Sequence, residues 1–74
     1  MLQIRVLLYS SFPAQNYLEF ELIFPDNCQK HYKLTEYDIR AYRGLNERRL
    51  IEQKAIEYLD DIGEPSDNIS LLFL

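Results

Sequence analysis

Leu2, Ile4, Val6 and Leu8 occupy alternate positions of the chain, with Gln3, Arg5, Leu7 and Tyr9 between them. The alternation returns with Leu18, Phe20, Leu22 and Phe24 set against Tyr17, Glu19, Glu21 and Ile23. Successive side chains of a strand leave opposite faces, so each run predicts a strand with one buried face. Ser10 to Asn16, with Pro13 inside it, reads as a loop, and Pro25-Asp26-Asn27 reads as a turn. A third strand is expected over about Gln29 to Leu34, with Tyr32 and Leu34 toward the core.

Matching the apolar faces of an antiparallel meander sets Leu8 opposite Leu18, Val6 opposite Phe20 and Ile4 opposite Leu22. In that register Tyr9 meets Tyr17 and Arg5 meets Glu21 on the outer face. Phe20 then faces Leu34 and Glu21 faces Lys33, which predicts an Arg5–Glu21–Lys33 row of alternating charge.

Beyond the strands the period changes. Thr35-Glu36-Tyr37-Asp38 has the form of a capping box, and the short helix it starts is expected to stop at Gly44. Asn46 reads as a second cap. Ile51, Ala55, Tyr58, Leu59 and Ile62 then form one apolar stripe on a helix over about Glu47 to Ile62, ended by Gly63 and Pro65. Ile69-Ser70-Leu71-Leu72-Phe73-Leu74 is nearly continuous in apolar character and predicts a buried last strand, placed beside and parallel to the first.

The expected fold class is therefore α+β. A three-stranded antiparallel meander leads to a short and a long helix on one sheet face, then a final C-terminal strand (β-β-β-α-α-β). With 74 residues the expected organisation is a single domain over residues 1–74. A fold of this size hides only about 60% of the surface of its unfolded chain, which excludes large catalytic architectures. Hydrophobic content of 47% and charged content of 27% are those of an ordinary globular domain rather than a disordered one.

The net charge of −4 is unevenly spread: residues 1–56 hold eight bases and seven acids, whereas 57–67 hold Glu57, Asp60, Asp61, Glu64 and Asp67 and no base. Glu57 and Asp61 are a like-charge pair one turn apart, and Asp60 and Asp61 lie where the helix dipole is negative. An acidic corner held against that local penalty is either a solvated face or a docking patch for a basic partner surface. Ile56 lies off the apolar stripe among polar positions, as a partner anchor, a side chain packed on the short helix, or a lone exposed one. Tyr9 and Tyr17, with Leu7 and Ile23, make the outer sheet face unusually apolar. It is expected either to meet a partner or second copy, or to be covered by the Ser10–Asn16 loop through Phe12.

Catalytic signals are weak. Cys28 and His31 are the only cysteine and histidine, and their spacing gives neither a convincing dyad nor a four-ligand zinc site. The two glycines, Gly44 and Gly63, read as helix stops and not as a phosphate loop. No catalytic residue, metal or cofactor is expected, and the chain reads as a non-enzyme. One cysteine without a possible partner, Arg5 within the apolar start, and the absence of an apolar run of roughly 20 residues point to a cytoplasmic protein without a membrane role.

The expected function is that of a non-catalytic protein-binding domain, an adaptor or inhibitor of a larger macromolecular complex. Its expected contacts are Glu57, Asp60, Asp61, Glu64, Asp67, Ile56, Tyr9 and Tyr17. Two alternatives remain open. Lys30, Lys33, Arg40, Arg43, Arg48 and Arg49 interleave with Tyr32, Tyr37 and Tyr42, as in a single-stranded nucleic-acid binder. The acidic corner could instead mimic spaced phosphates and block a basic cleft. The partner is otherwise expected to be a protein with a basic surface, and a homodimer is possible.

Overall fold

The structure, a computed structural model, describes residues 2–11, 14–42 and 44–74. Its elements run β1 (Leu2–Ser10), β2 (Tyr17–Ile23), β3 (Gln29–Thr35), α1 (Glu36–Ala41), α2 (Glu47–Asp61) and β4 (Ile69–Phe73). The four strands form one mixed sheet in the order β3-β2-β1-β4, with β4 parallel to β1 and the other neighbours antiparallel. The fold is the α+β layout that the periodicity predicts.

Ile4 and Val6, then Leu18, Phe20 and Leu22, leave the same sheet face and are fully or almost fully buried, joined by Phe24, Leu34 and Leu71. α2 covers them with Leu50, Ile51, Ala55 and Leu59. Both helices start on the caps expected of them. The Thr35 hydroxyl accepts from Asp38 N–H while the Asp38 carboxylate accepts from Thr35 N–H, and the Asn46 side chain accepts from Arg49 N–H.

The predicted pairing is shifted. Val6 lies opposite Leu22 and Leu8 opposite Phe20, while Leu18 pairs with Leu34 and Phe20 with Tyr32. Each strand has slid two residues, which keeps every side chain on its expected face but changes its partners. For β2 and β3 the cause is visible in the turn that joins them. Phe24 N–H donates to Cys28 O and Asn27 N–H to Phe24 O. Asn27 is left-handed with φ of 66°, and Asp26 accepts from Cys28 N–H. A turn closed at Phe24 and Cys28 fixes Ile23 opposite Gln29 and every pair beyond it. The β1–β2 pairing is further interrupted by an irregularity between Leu8 and Ser10.

The Arg5–Glu21–Lys33 row therefore does not form. Glu21 remains on the outer face, but between Leu7 and His31, and Glu19 lies opposite Lys33. Three further expectations are corrected. Leu8 is 40% exposed, beside the irregularity in β1. Ile62, placed in the apolar stripe, is 51% exposed because it is the cap residue where α2 has already ended. Leu50 is buried instead, widening the stripe toward α1, whose Ile39 lines the same cavity as Leu50 and Leu18. The last strand is not interior: it is an edge, with Leu72, Phe73 and Leu74 all exposed by more than a third.

Candidate functional site

The end of α2 forms one wall of a surface cavity. Ile62 N–H donates to Tyr58 O, Gly63 N–H to Asp60 O and Glu64 N–H to Leu59 O, which is a Schellman closure. It needs a left-handed residue at its turn, and Gly63 supplies φ of 75°. The chain then reverses through Pro65, and the Ser66 hydroxyl donates to Asp60 at 2.8 Å, tying the following loop to the helix end.

Between this reversal and the β2–β3 turn lies a cavity of about 440 Å³. Leu2, Phe24, Tyr58, Leu59 and Ile62 give it an apolar floor, and Asp26, Glu64 and Asp67 stand around it with Pro25, Pro65 and Asn68. The Phe24 and Tyr58 rings meet at 4.7 Å, and the Tyr58 hydroxyl is 3.3 Å from Cys28 Sγ. That hydrogen bond, then loss of solvent and the charge of Cys28, push the Tyr58 phenol up to about 12. A floor of this size with a few polar groups suits an apolar side chain, and the ring of carboxylates suits one flanked by cations.

The predicted acidic residues divide here. Glu64 and Asp67 line the cavity, and Asp60 braces its loop; Asp61 is exposed beyond the floor. Glu57 is on a different side, engaged within the fold. It accepts from the Tyr42 hydroxyl at 3.0 Å and lies 3.4 Å from Lys54 Nζ, which itself donates to Tyr42 at 2.8 Å. Burial draws the Lys54 ammonium down, but the Tyr42 hydrogen bond and the Glu57 charge outweigh it, and its pKa is raised. Ile56 is half-buried and outside the core cluster. Sequence reasoning missed Asp26, Phe24 and Leu2 as parts of the corner. The turn signal at Pro25-Asp26-Asn27 was legible, but not that it folds against the end of α2.

Tyr9 and Tyr17 lie on the sheet face opposite the helices, and they do not pair. Tyr9 stacks on His31 at 5.6 Å between centroids, and Lys33 sits over the Tyr17 ring at 4.6 Å. His31 Nε2 is 2.7 Å from Glu19 and its Nδ1 is 3.9 Å from Glu21. Loss of solvent, then the nearby Glu21, raise the Tyr9 phenol above its ordinary value. Ile23 is only 8% exposed on this face although it is outside the main core. The proposed cover of this face by Phe12 falls outside the described residues, as does Arg43 of the basic segment.

Cys28 is bonded to Tyr58 and His31 to Glu19, so the structure does not bring the two together as a pair. Among the described residues no group of three or more His, Cys, Asp or Glu side chains is placed to hold a metal ion. No described helix is long and apolar enough to cross a membrane. No family model, curated protein or solved structure matches the chain.

Proposed function

We propose that this chain is a non-catalytic protein-binding domain, an adaptor or inhibitor, that takes a basic segment of a partner protein into its acidic corner. One observation carries the reading: an apolar cavity of about 440 Å³ has three carboxylates, Asp26, Glu64 and Asp67, among its walls. The chemistry that fits is a Leu or aromatic side chain seated on Leu59 and Ile62, with Lys or Arg neighbours reaching the carboxylates. Steering by the five acids of residues 57–67 would speed the encounter and weaken with salt.

A protein partner is favoured over nucleic acid by where the cations of the middle segment go. Lys30 lies over Tyr58, Lys33 over Tyr17 and Arg48 over Phe73, while Arg40 is 2.6 Å from Glu36. Of the three tyrosines interleaved with those cations, Tyr32 stacks on Phe20 and Tyr42 is held by Glu57 and Lys54, which leaves Tyr37 alone exposed as a platform for a base.

Selection from a displayed library of random peptides tests the reading. Bound peptides should share an apolar residue flanked by bases. Glu64→Lys combined with Asp67→Lys should weaken them by about tenfold or more. Ile62→Ala should weaken them too. Binding that survives Ile62→Ala but not the charge reversals would identify a phosphate mimic acting by charge alone. Indifference to the charge reversals removes the corner as the site.

A further inference from the structure

The two edges of the sheet differ in kind. β3, at one edge, carries Lys30, His31 and Lys33, the charged guarding that keeps a strand edge from pairing. β4, at the other, reads Ile69-Ser70-Leu71-Leu72-Phe73 without a charge or a proline. Its composition is that of an interior strand, yet Leu72 and Phe73 are 43% and 37% exposed.

Its hydrogen bonding shows which backbone groups are open. Leu2 N–H donates to Asn68 O, and Leu74 N–H donates to Val6 O, each at 3.0 Å. In a parallel ladder alternate residues of a strand face the neighbour, so Asn68, Ser70, Leu72 and Leu74 face β1. The N–H and C=O of Ile69, Leu71 and Phe73 therefore point away from the sheet, along its free edge.

We infer that this edge pairs with the same edge of a second copy of the chain, antiparallel about a two-fold axis at Leu71, joining two sheets into one of eight strands. The occupant follows from self-complementarity. With the axis at Leu71, that residue faces its own counterpart, Phe73 faces Ile69 of the second copy, and Leu72 faces its Ser70. The pairs on the helix side are all apolar, and each of the three open residues meets an open residue.

Charge favours the same arrangement. Arg48 sits over the Phe73 ring at 5.1 Å, which puts the first turn of α2, where Arg48 and Arg49 outweigh Glu47, at the C-terminal end of β4. Asp67 and Glu64 line the cavity with Asn68, at the N-terminal end of β4. Antiparallel pairing brings the basic end of each copy to the acidic end of the other, and a parallel pairing would set like against like. None of the paired residues Ile69–Phe73 lines the cavity, and Glu64 and Asp67 add only charge to the pairing, so methylating the Leu71 nitrogen tests the edge without altering the proposed site for a basic segment.

Sedimentation over a concentration series from micromolar to millimolar tests it, with hydrogen exchange at the two extremes. The apparent mass should rise to that of two chains. Amides of Ile69, Leu71 and Phe73 should gain protection only at high concentration, while Ser70 and Leu72 are protected throughout. Methylating the backbone nitrogen of Leu71 in a synthetic chain leaves the β1–β4 ladder intact and should hold the protein at one chain, with an unchanged circular dichroism spectrum. A single-chain mass at every concentration overturns the inference. So does a dimer that survives the methylation, or a gain in protection located elsewhere.

Discussion

The Tyr58 hydroxyl and Cys28 Sγ are 3.3 Å apart, joining the last turn of α2 to the β2–β3 turn beside the acidic cavity. Because folding raises this phenol from 10.0 to about 12, it favours the protonated form. The stabilisation it gives is complete below about pH 10 and is lost as pH climbs toward 12. In an ultraviolet titration, the phenolate step missing from Tyr58→Phe should lie near 12 in the native chain. Cys28→Ala should bring that step back toward 10.0, since the hydrogen bond is its largest cause. A step that stays near 12 without the thiol would assign the shift to burial instead. The pair also shows how little a spacing reveals. Cys28 and His31 are neighbours in the sequence, but the thiol turns to α2 and the imidazole to Glu19 across the sheet.

At the level of elements, the signals that are local in the chain are legible in its sequence. Thr35 and Asn46 cap the helices that follow them, the alternating runs are strands, and β4 returns beside β1. Register is not legible in the same way, because apolar matching tests only which face a residue takes, and a slide of two residues leaves every face unchanged. The turn decides between such registers, through Asn27 in its left-handed conformation and Asp26 closing on Cys28 N–H. The same residues place Asp26 at the cavity, so the β2–β3 register and this part of the corner have one origin. At the other wall, Gly63 ends α2 with φ of 75°, and a Cβ there would meet nothing within 4 Å. Gly63→Ala therefore tests backbone conformation alone. It should cost about 1 kcal/mol in urea unfolding, seen as a loss of roughly 4–8 °C in melting temperature. An unchanged melting temperature would mean that the Schellman turn contributes no such constraint.

For the molecule as a whole, the division between what holds it together and what it offers outward is sharp. The fully buried side chains are few, and Phe20 is the largest of them, stacked on Tyr32 at 5.2 Å and central in the layer under α2. A core in a chain of this size supplies little more than about 3–5 kcal/mol in net stability. Removing a buried phenyl ring costs about the same, 3–5 kcal/mol, through lost transfer energy and the cavity left behind. Phe20→Ala should therefore leave no cooperative unfolding transition and a collapsed amide spectrum at room temperature. The acidic corner and the β4 edge are built differently, because Glu64, Asp67 and Leu72 are exposed and none belongs to the core cluster. Glu64→Lys and Asp67→Lys should shift the melting temperature by no more than a few degrees, and surface substitutions of this kind usually stay within about 0.5 kcal/mol. If those reversals instead unfold the chain while Phe20→Ala melts cooperatively, the layer beneath α2 is not what stabilises the fold. The corner would then be a structural joint holding the β2–β3 turn to the end of the helix, and its carboxylates would have no surplus to present to a partner.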